Sequence, residues 1–175
     1  MKIQTYENKL VKDELEIDYY VPITITFPEN ADKYRLGELY YFLFINEHDS
    51  LVEVKINAIT QKIAELVVVS INDIEDSNLV IEKYIEKNPL IQTTIFDAYP
   101  IITKKSKFKV YRAHKKIYFK FDGEKIFTVM KMSNRVALFL NEDNKIVGME
   151  FSGFTEGEWK ELDESIRCKS GLKSN

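Results

Sequence analysis

Apolar residues recur at every second position along much of the chain, the period of a strand with one buried face. In Val136-Ala137-Leu138-Phe139-Leu140 the apolar row is 136, 138 and 140, and in Val52-Glu53-Val54-Lys55-Ile56 it is 52, 54 and 56. Asn141-Glu142-Asp143-Asn144-Lys145 follows the first of these and predicts a turn, because Asn and Asp tolerate left-handed backbone and bond their own main chain. Residues 146–151 then return as the partner strand, with Gly148 at a bulge or a close approach. Residues 58–61 connect the other strand to a return over 63–71, whose Leu66-Val67-Val68-Val69 run predicts a central strand covered on both sides. Turns this short join antiparallel neighbours, so each group reads as a meander. Residues 17–27 predict a strand interrupted at Pro22, hence near a sheet edge.

Helical signals follow both groups. Thr155-Glu156-Gly157-Glu158 is a capping box, in which the Thr155 hydroxyl accepts from the Glu158 amide while Glu158 reaches back. Trp159, Leu162 and Ile166 continue it as an apolar stripe, which predicts a helix near 156–167. Asp76, Ser77 or Asn78 can cap a helix near 78–87 that Pro89 ends, and residues 30–36 suit a shorter helical turn.

The two groups also resemble each other. Segments 37–42, 52–57 and 62–66 match 123–128, 136–141 and 145–149 in order, and 23–27 matches 117–121, at offsets of 83 to 94 residues. The expectation is an α+β fold: two copies of a mainly antiparallel β-meander unit, each followed by one helix. Residues 1–100 form an acidic N-terminal sheet unit, 101–168 a C-terminal sheet unit with a basic start, and 169–175 a frayed tail. The units are two subdomains or one continuous sheet, with the crossing near 89–106.

Composition narrows the class. An apolar share of 45% and a charged share of 30% over 175 residues suit an ordinary globular chain able to bury a core without metal or disulfides. Cys168 stands alone, which excludes an internal disulfide framework and fits a reducing compartment. No apolar run reaches the length of a spanning helix, and residues 1–9 lack the apolar stretch of a signal peptide, so a cytoplasmic location with no membrane partner is expected.

The net charge of −3 conceals a division. Residues 1–100 carry 9 Lys/Arg against 18 Asp/Glu, and residues 101–175 carry 16 against 10. The basic stretch 104–125 is interleaved with Phe108, Tyr111, Tyr118, Phe119 and Phe121, an arrangement that suits nucleic acid or another polyanion through Lys104, Lys105, Lys107, Arg112, Lys115 and Lys116. A pI of 5.6 for the whole chain weighs against nucleic acid. The opposite reading uses Tyr40, Tyr41 and the acids Glu156, Glu158, Glu161, Asp163 and Glu164 to bind another protein of basic character.

Catalytic signatures are missing. There is no Gly-rich phosphate loop, Cys-x-x-Cys or Gly-x-Ser-x-Gly. Cys168 has no defined histidine partner, and His48, beside Glu47 and Asp49 in a polar turn, lacks metal-ligand spacing. A protein that is not an enzyme, with no cofactor and no metal, is expected.

Residues 136–151, an apolar strand, an Asn/Asp-rich turn and Lys145-Ile146-Val147-Gly148-Met149-Glu150, resemble a strand–turn–strand signature of small bacterial domains of unknown function. In size, acidity and sheet content the chain is similar in type to bacterial immunity proteins. That resemblance implies a non-enzymatic protein that neutralises a cognate basic, nuclease-like toxin domain.

Overall fold

Asparagine organises three tight turns. Asn46 Oδ1 accepts from the amides of His48 and Ser50, at 3.0 and 2.8 Å, and Asn141 Oδ1 does the same for Asp143 and Lys145, at 3.1 and 3.0 Å. Three residues after each, Asp49 and Asn144 take a positive φ of 60° and 58°, the left-handed step that Asn and Asp tolerate. Asn57 Oδ1 holds the third turn through the amides of Ile59 and Thr60.

The computed structural model describes residues 1–31, 38–77, 79, 81 and 83–171, the last four of these by backbone alone. In chain order the elements are β1 (Ile3–Glu7), β2 (Glu14–Glu16), β3 (Ile23–Thr26), α1 (Pro28–Ala31), β4 (Leu39–Ile45), β5 (Leu51–Asn57) and β6 (Ile63–Ser70). Then follow β7 (Ile74–Asp76), β8 (Ile85–Glu86), β9 (Asn88–Ile91), a 3-10 turn (Thr94–Phe96), β10 (Ile101–Lys105), β11 (Phe108–Ala113) and β12 (Lys116–Phe121). The chain ends through β13 (Thr128–Lys131), β14 (Val136–Leu140), β15 (Ile146–Phe151) and α2 (Glu156–Gly171). No helix among the described residues is long and apolar enough to cross a membrane.

The described strands form a six-stranded sheet, β10-β4-β5-β6-β3-β2, a seven-stranded sheet, β7-β11-β12-β15-β14-β13-β8, and the pair β1-β9. One core joins the inner faces of the two large sheets, with Phe42, Val54, Ile56 and Leu66 from the first and Ile117, Leu138, Met149 and Phe151 from the second. Phe44 and Phe121 meet across it with ring centroids 5.2 Å apart. Leu162 and Ile166 of α2 enter the same core. The β1–β9 pair ties the sheets together at one end: the Ile3 amide donates to Asn144 O at 3.0 Å, and the Ile91 amide donates to Gln61 O at 2.8 Å. Asn30 and Asn88, both buried, exchange side-chain hydrogen bonds at 3.2 and 3.0 Å beside it.

This architecture corrects the expected fold class. The protein is mostly β, 49% strand against 12% helix, and not two meander-plus-helix repeats. Between β6 and β9 the described residues form no helix. Over the expected helix, Ile85–Glu86 is strand β8, paired in parallel with Met130 and Lys131, while Asn78, Val80 and Glu82 lie outside the described residues. The helical turn expected at 30–36 is only α1, Pro28–Ala31, with 32–37 outside the described residues. Of the expected frayed tail, α2 runs on to Gly171 and residues 172–175 lie outside. The two large sheets do share the order of five strands, β4-β5-β6-β3-β2 and β13-β14-β15-β12-β11, but their edges, lengths and coverings differ.

The coverings matter for function. The seven-stranded sheet is buried on both faces: its outer side, with Tyr118, Val129, Ala137, Phe139 and Val147, packs against Leu79, Ile81 and Tyr84 of the segment leading to β8. In the six-stranded sheet β4 and β5 alternate instead, with Phe42, Phe44, Val52, Val54 and Ile56 buried and Tyr41, Leu43, Ile45, Leu51, Glu53 and Lys55 half-buried.

Candidate functional site

The strand register assembles the outer face of the six-stranded sheet row by row. Ile101, Tyr41, Lys55, Glu65, Thr26 and Glu14 lie side by side across six strands. The next row is Thr103, Leu43, Glu53, Val67, Thr24 and Glu16. Residues that face each other this way share one side of the sheet and sit close enough to interact. Tyr41, Leu43, Ile45 and Leu51 belong to neither hydrophobic core. Ile101 is 58% exposed on the edge strand β10. The two rows carry four carboxylates and one ammonium. Lys55 pairs with Glu65 and reaches Glu53 at 3.5 Å; burial pushes its pKa down, but the Glu65 hydrogen bond and both charges outweigh that and raise it. Glu14 and Glu16 stand exposed on β2 with no side-chain partner among the described residues.

The other expected residues are distributed differently. Tyr40 turns away from this face and stacks on Phe96 at 4.7 Å and 2° between planes, on the inner side with the core. On α2, Glu156 pairs with Lys115, Glu158 with Arg135 at 3.1 Å, and Asp163 with Arg112 at 2.9 Å and Arg167 at 2.7 Å. Glu161 is exposed, and Glu164 lies 4.0 Å from Lys160. Among the described residues no hydrogen bond, ion pair or ring contact joins Tyr40 or Tyr41 to α2. Much of the basic stretch is likewise engaged: Lys109 with Glu75, Arg112 with Asp76 and Asp163, Lys115 with Glu156, and Lys116 with the buried Glu150. Lys104, Lys105 and Lys107 are left exposed with no carboxylate partner among the described residues.

No family model matches this chain, and neither does any curated protein.

The capping box forms as expected. The Thr155 amide donates to Glu158 Oε2 at 2.7 Å, and the Glu158 amide donates to Thr155 Oγ1 at 3.2 Å. The Thr155 backbone bond, with lesser help from the Thr155 side chain and Arg135, holds the Glu158 carboxyl below its usual range against the opposing effect of burial. Stability from this group is present above the ordinary carboxylate range and is lost as the pH falls through the lowered folded value. Thr155→Ala is expected to cost about 1 kcal/mol, and Glu158→Gln to flatten part of the acid limb of the stability profile, both read from denaturant melts between pH 7 and pH 3.

Beside α2 a cleft of about 340 Å³ is lined by Asp76, Arg112, His114, Trp159, Asp163 and Arg167. Its acids and guanidinium groups bond one another, so it offers no net charge to a ligand. His48 stands exposed on the β4–β5 turn with Nε2 3.2 Å from Asp73. Among the described residues no group of three or more His, Cys, Asp or Glu is placed to hold a metal ion. The residues that sequence reasoning missed are Glu14, Glu16, Leu43, Glu53, Glu65 and Ile101. Alternation showed which of them point outward, but only the order β10-β4-β5-β6-β3-β2 makes them neighbours.

Proposed function

We propose that the protein is a non-enzymatic binding module that presents the outer face of its six-stranded sheet to another protein with a basic surface, such as a nuclease-like toxin domain. One observation carries this reading: the open face combines Tyr41, Leu43 and Ile101 with Glu14, Glu16, Glu53 and Glu65, against Lys55 alone in the same two rows. Apolar side chains supply area and anchors, and the carboxylates steer a positive partner and set its register. Partly exposed apolar side chains framed by charge also suit an interaction surface.

The test is affinity isolation from native cells with the wild-type chain, Leu43→Arg, and Lys160→Glu as a control on α2. A stoichiometric basic protein recovered with wild type and control, and reduced by about tenfold or more with Leu43→Arg, supports the reading. Equal recovery with all three, or no stoichiometric protein with any, overturns it. Melting temperatures of the three chains must agree, which separates loss of the face from loss of the fold.

A further inference from the structure

Lys104 and Lys105 end β10, and Lys107 follows on the turn into β11. The Ser106 amide donates to Ile45 O at 2.9 Å and the Asp122 amide to Lys107 O at 2.9 Å, so the turn is fixed to both large sheets. The β14–β15 hairpin is held close by: the Ile146 amide donates to Met1 O at 3.0 Å, Lys2 bridges to Lys145, and Lys104 and Lys145 both act electrostatically on Met1. A cleft of about 260 Å³ opens between these segments, lined by Lys104, Lys105, Lys107 and Lys145 together with Ser106. Asp122 and Glu124 line it too, and Lys145 reaches Asp143 at 3.1 Å.

Ser106 lines the cleft, and its Oγ is shielded from solvent with no hydrogen-bond partner among the described residues. A buried hydroxyl in that state points to a missing partner. Lysine ammonium groups offer three donors each and no acceptor, so a group that satisfies both the serine hydroxyl and the lysines is an anion with several acceptor oxygens. Four ammonium groups repel a metal ion. Downstream, Lys109, Arg112, Lys115 and Lys116 are engaged by carboxylates, which favours a small positive cleft over a track for a long strand. We infer that the 104–107 turn and Lys145 form a binding site for a phosphate-class oxyanion, a phosphate or diphosphate group. The inference uses none of the residues that carry the protein-binding reading, so either can fail alone.

The experiment is calorimetric titration of the full chain at low salt with inorganic phosphate, pyrophosphate, ADP and a single-stranded RNA. Pyrophosphate is expected to bind with Kd on the order of 1 mM or tighter. Binding should weaken about tenfold in Lys104→Gln/Lys107→Gln and roughly threefold or more in Ser106→Ala, and hold in Lys160→Gln. ADP no tighter than pyrophosphate assigns the site to the anion alone; tighter ADP binding, lost in the same variants, places the phosphate on a nucleotide. Amide shifts at Ser106, Lys107 and Asp122 of the wild type locate the site without any variant. No heat and no shift at about 10 mM pyrophosphate overturns the inference. So does binding that survives Lys104→Gln/Lys107→Gln, and so does RNA binding that ignores these residues.

Discussion

Gly148→Ala is expected to destabilise the protein by at least about 3 kcal/mol, lowering the melting temperature by roughly 6–12 °C. A methyl group at this position would lie 2.4 Å from the Phe119 carbonyl oxygen and 2.6 Å from Phe139 Cδ2, with Lys120 Cα at 3.4 Å. Neither near neighbour can move cheaply. Phe119 O belongs to β12, paired through Lys120 with Gly148 itself, and the Phe139 ring is fully buried beside Tyr118. A register shift in β14 between Phe139 and Leu140 falls at the same point, so the glycine serves both flanking strands where the ladder is already irregular. Overpacking a core costs about 1–3 kcal/mol where side chains can adjust, and backbone on one side puts this site at the top of that range or beyond. Gly157 is the counterpart: no atom lies within 4 Å of its added Cβ, so Gly157→Ala in the first turn of α2 is expected to stabilise by roughly 0.5–1 kcal/mol. Urea melts of both variants decide the matter. A loss below about 1 kcal/mol for Gly148→Ala would mean that the β12–β15 ladder yields where the geometry says it is closed.

How much of this was readable in the sequence follows from how local each signal is. The row Val52, Val54, Ile56 and the Asn141 turn were readable because period-two burial and an Asn side chain bonding amides two and four residues on are settled within a few residues. Gly148 was readable as a bulge or close approach for the same reason. The expected helix near 78–87 had caps and apolar residues, but Ile85 and Glu86 pair in parallel with Met130 and Lys131 and Leu79, Ile81 and Tyr84 cover a distant sheet face. Contacts some 45 residues away in sequence outweigh a local preference. The parallel edges β7, β8 and β10 leave no local trace either. The pairing of the charged residues left no local trace either, because Arg112 meets Asp163 and Lys116 meets Glu150 only once the sheets and α2 are assembled. The acidic open face was legible as a surplus of carboxylates in residues 1–100, and illegible as a surface, since register alone lines up Glu14, Glu65 and Lys55.

The buried pair on the other sheet gives the second large effect. Lys116→Met is expected to cost about 2–3 kcal/mol at pH 7, while Lys116→Met/Glu150→Met returns to within about 1 kcal/mol of wild type. Glu150 points to the covered outer side of the seven-stranded sheet, its side chain 4% exposed, with Lys116 Nζ at 3.2 Å and the Tyr84 hydroxyl at 3.4 Å. Without Lys116 the carboxylate keeps only the long Tyr84 bond. Removing one partner of a fully buried pair costs about 3–5 kcal/mol; the 35% exposure of Lys116 lets water reach the vacated site and sets the lower figure. Burial lowers the Lys116 pKa, but the Glu150 charge and hydrogen bond outweigh it, so the folded value stands above the unfolded one. The pair's contribution is therefore full below the ordinary lysine range and declines as the pH rises through the folded value. The gap between wild type and Lys116→Met should hold from pH 6 to 8 and narrow at high pH. Tyr84→Phe tests the remaining bond and should cost about 0.5–1 kcal/mol, little for a contact of that length. If the double variant is no more stable than Lys116→Met, the penalty comes from the lost lysine stem against the sheet rather than from a stranded carboxylate, and the ion pair is not what holds Tyr84 beside Glu150 on the outer side.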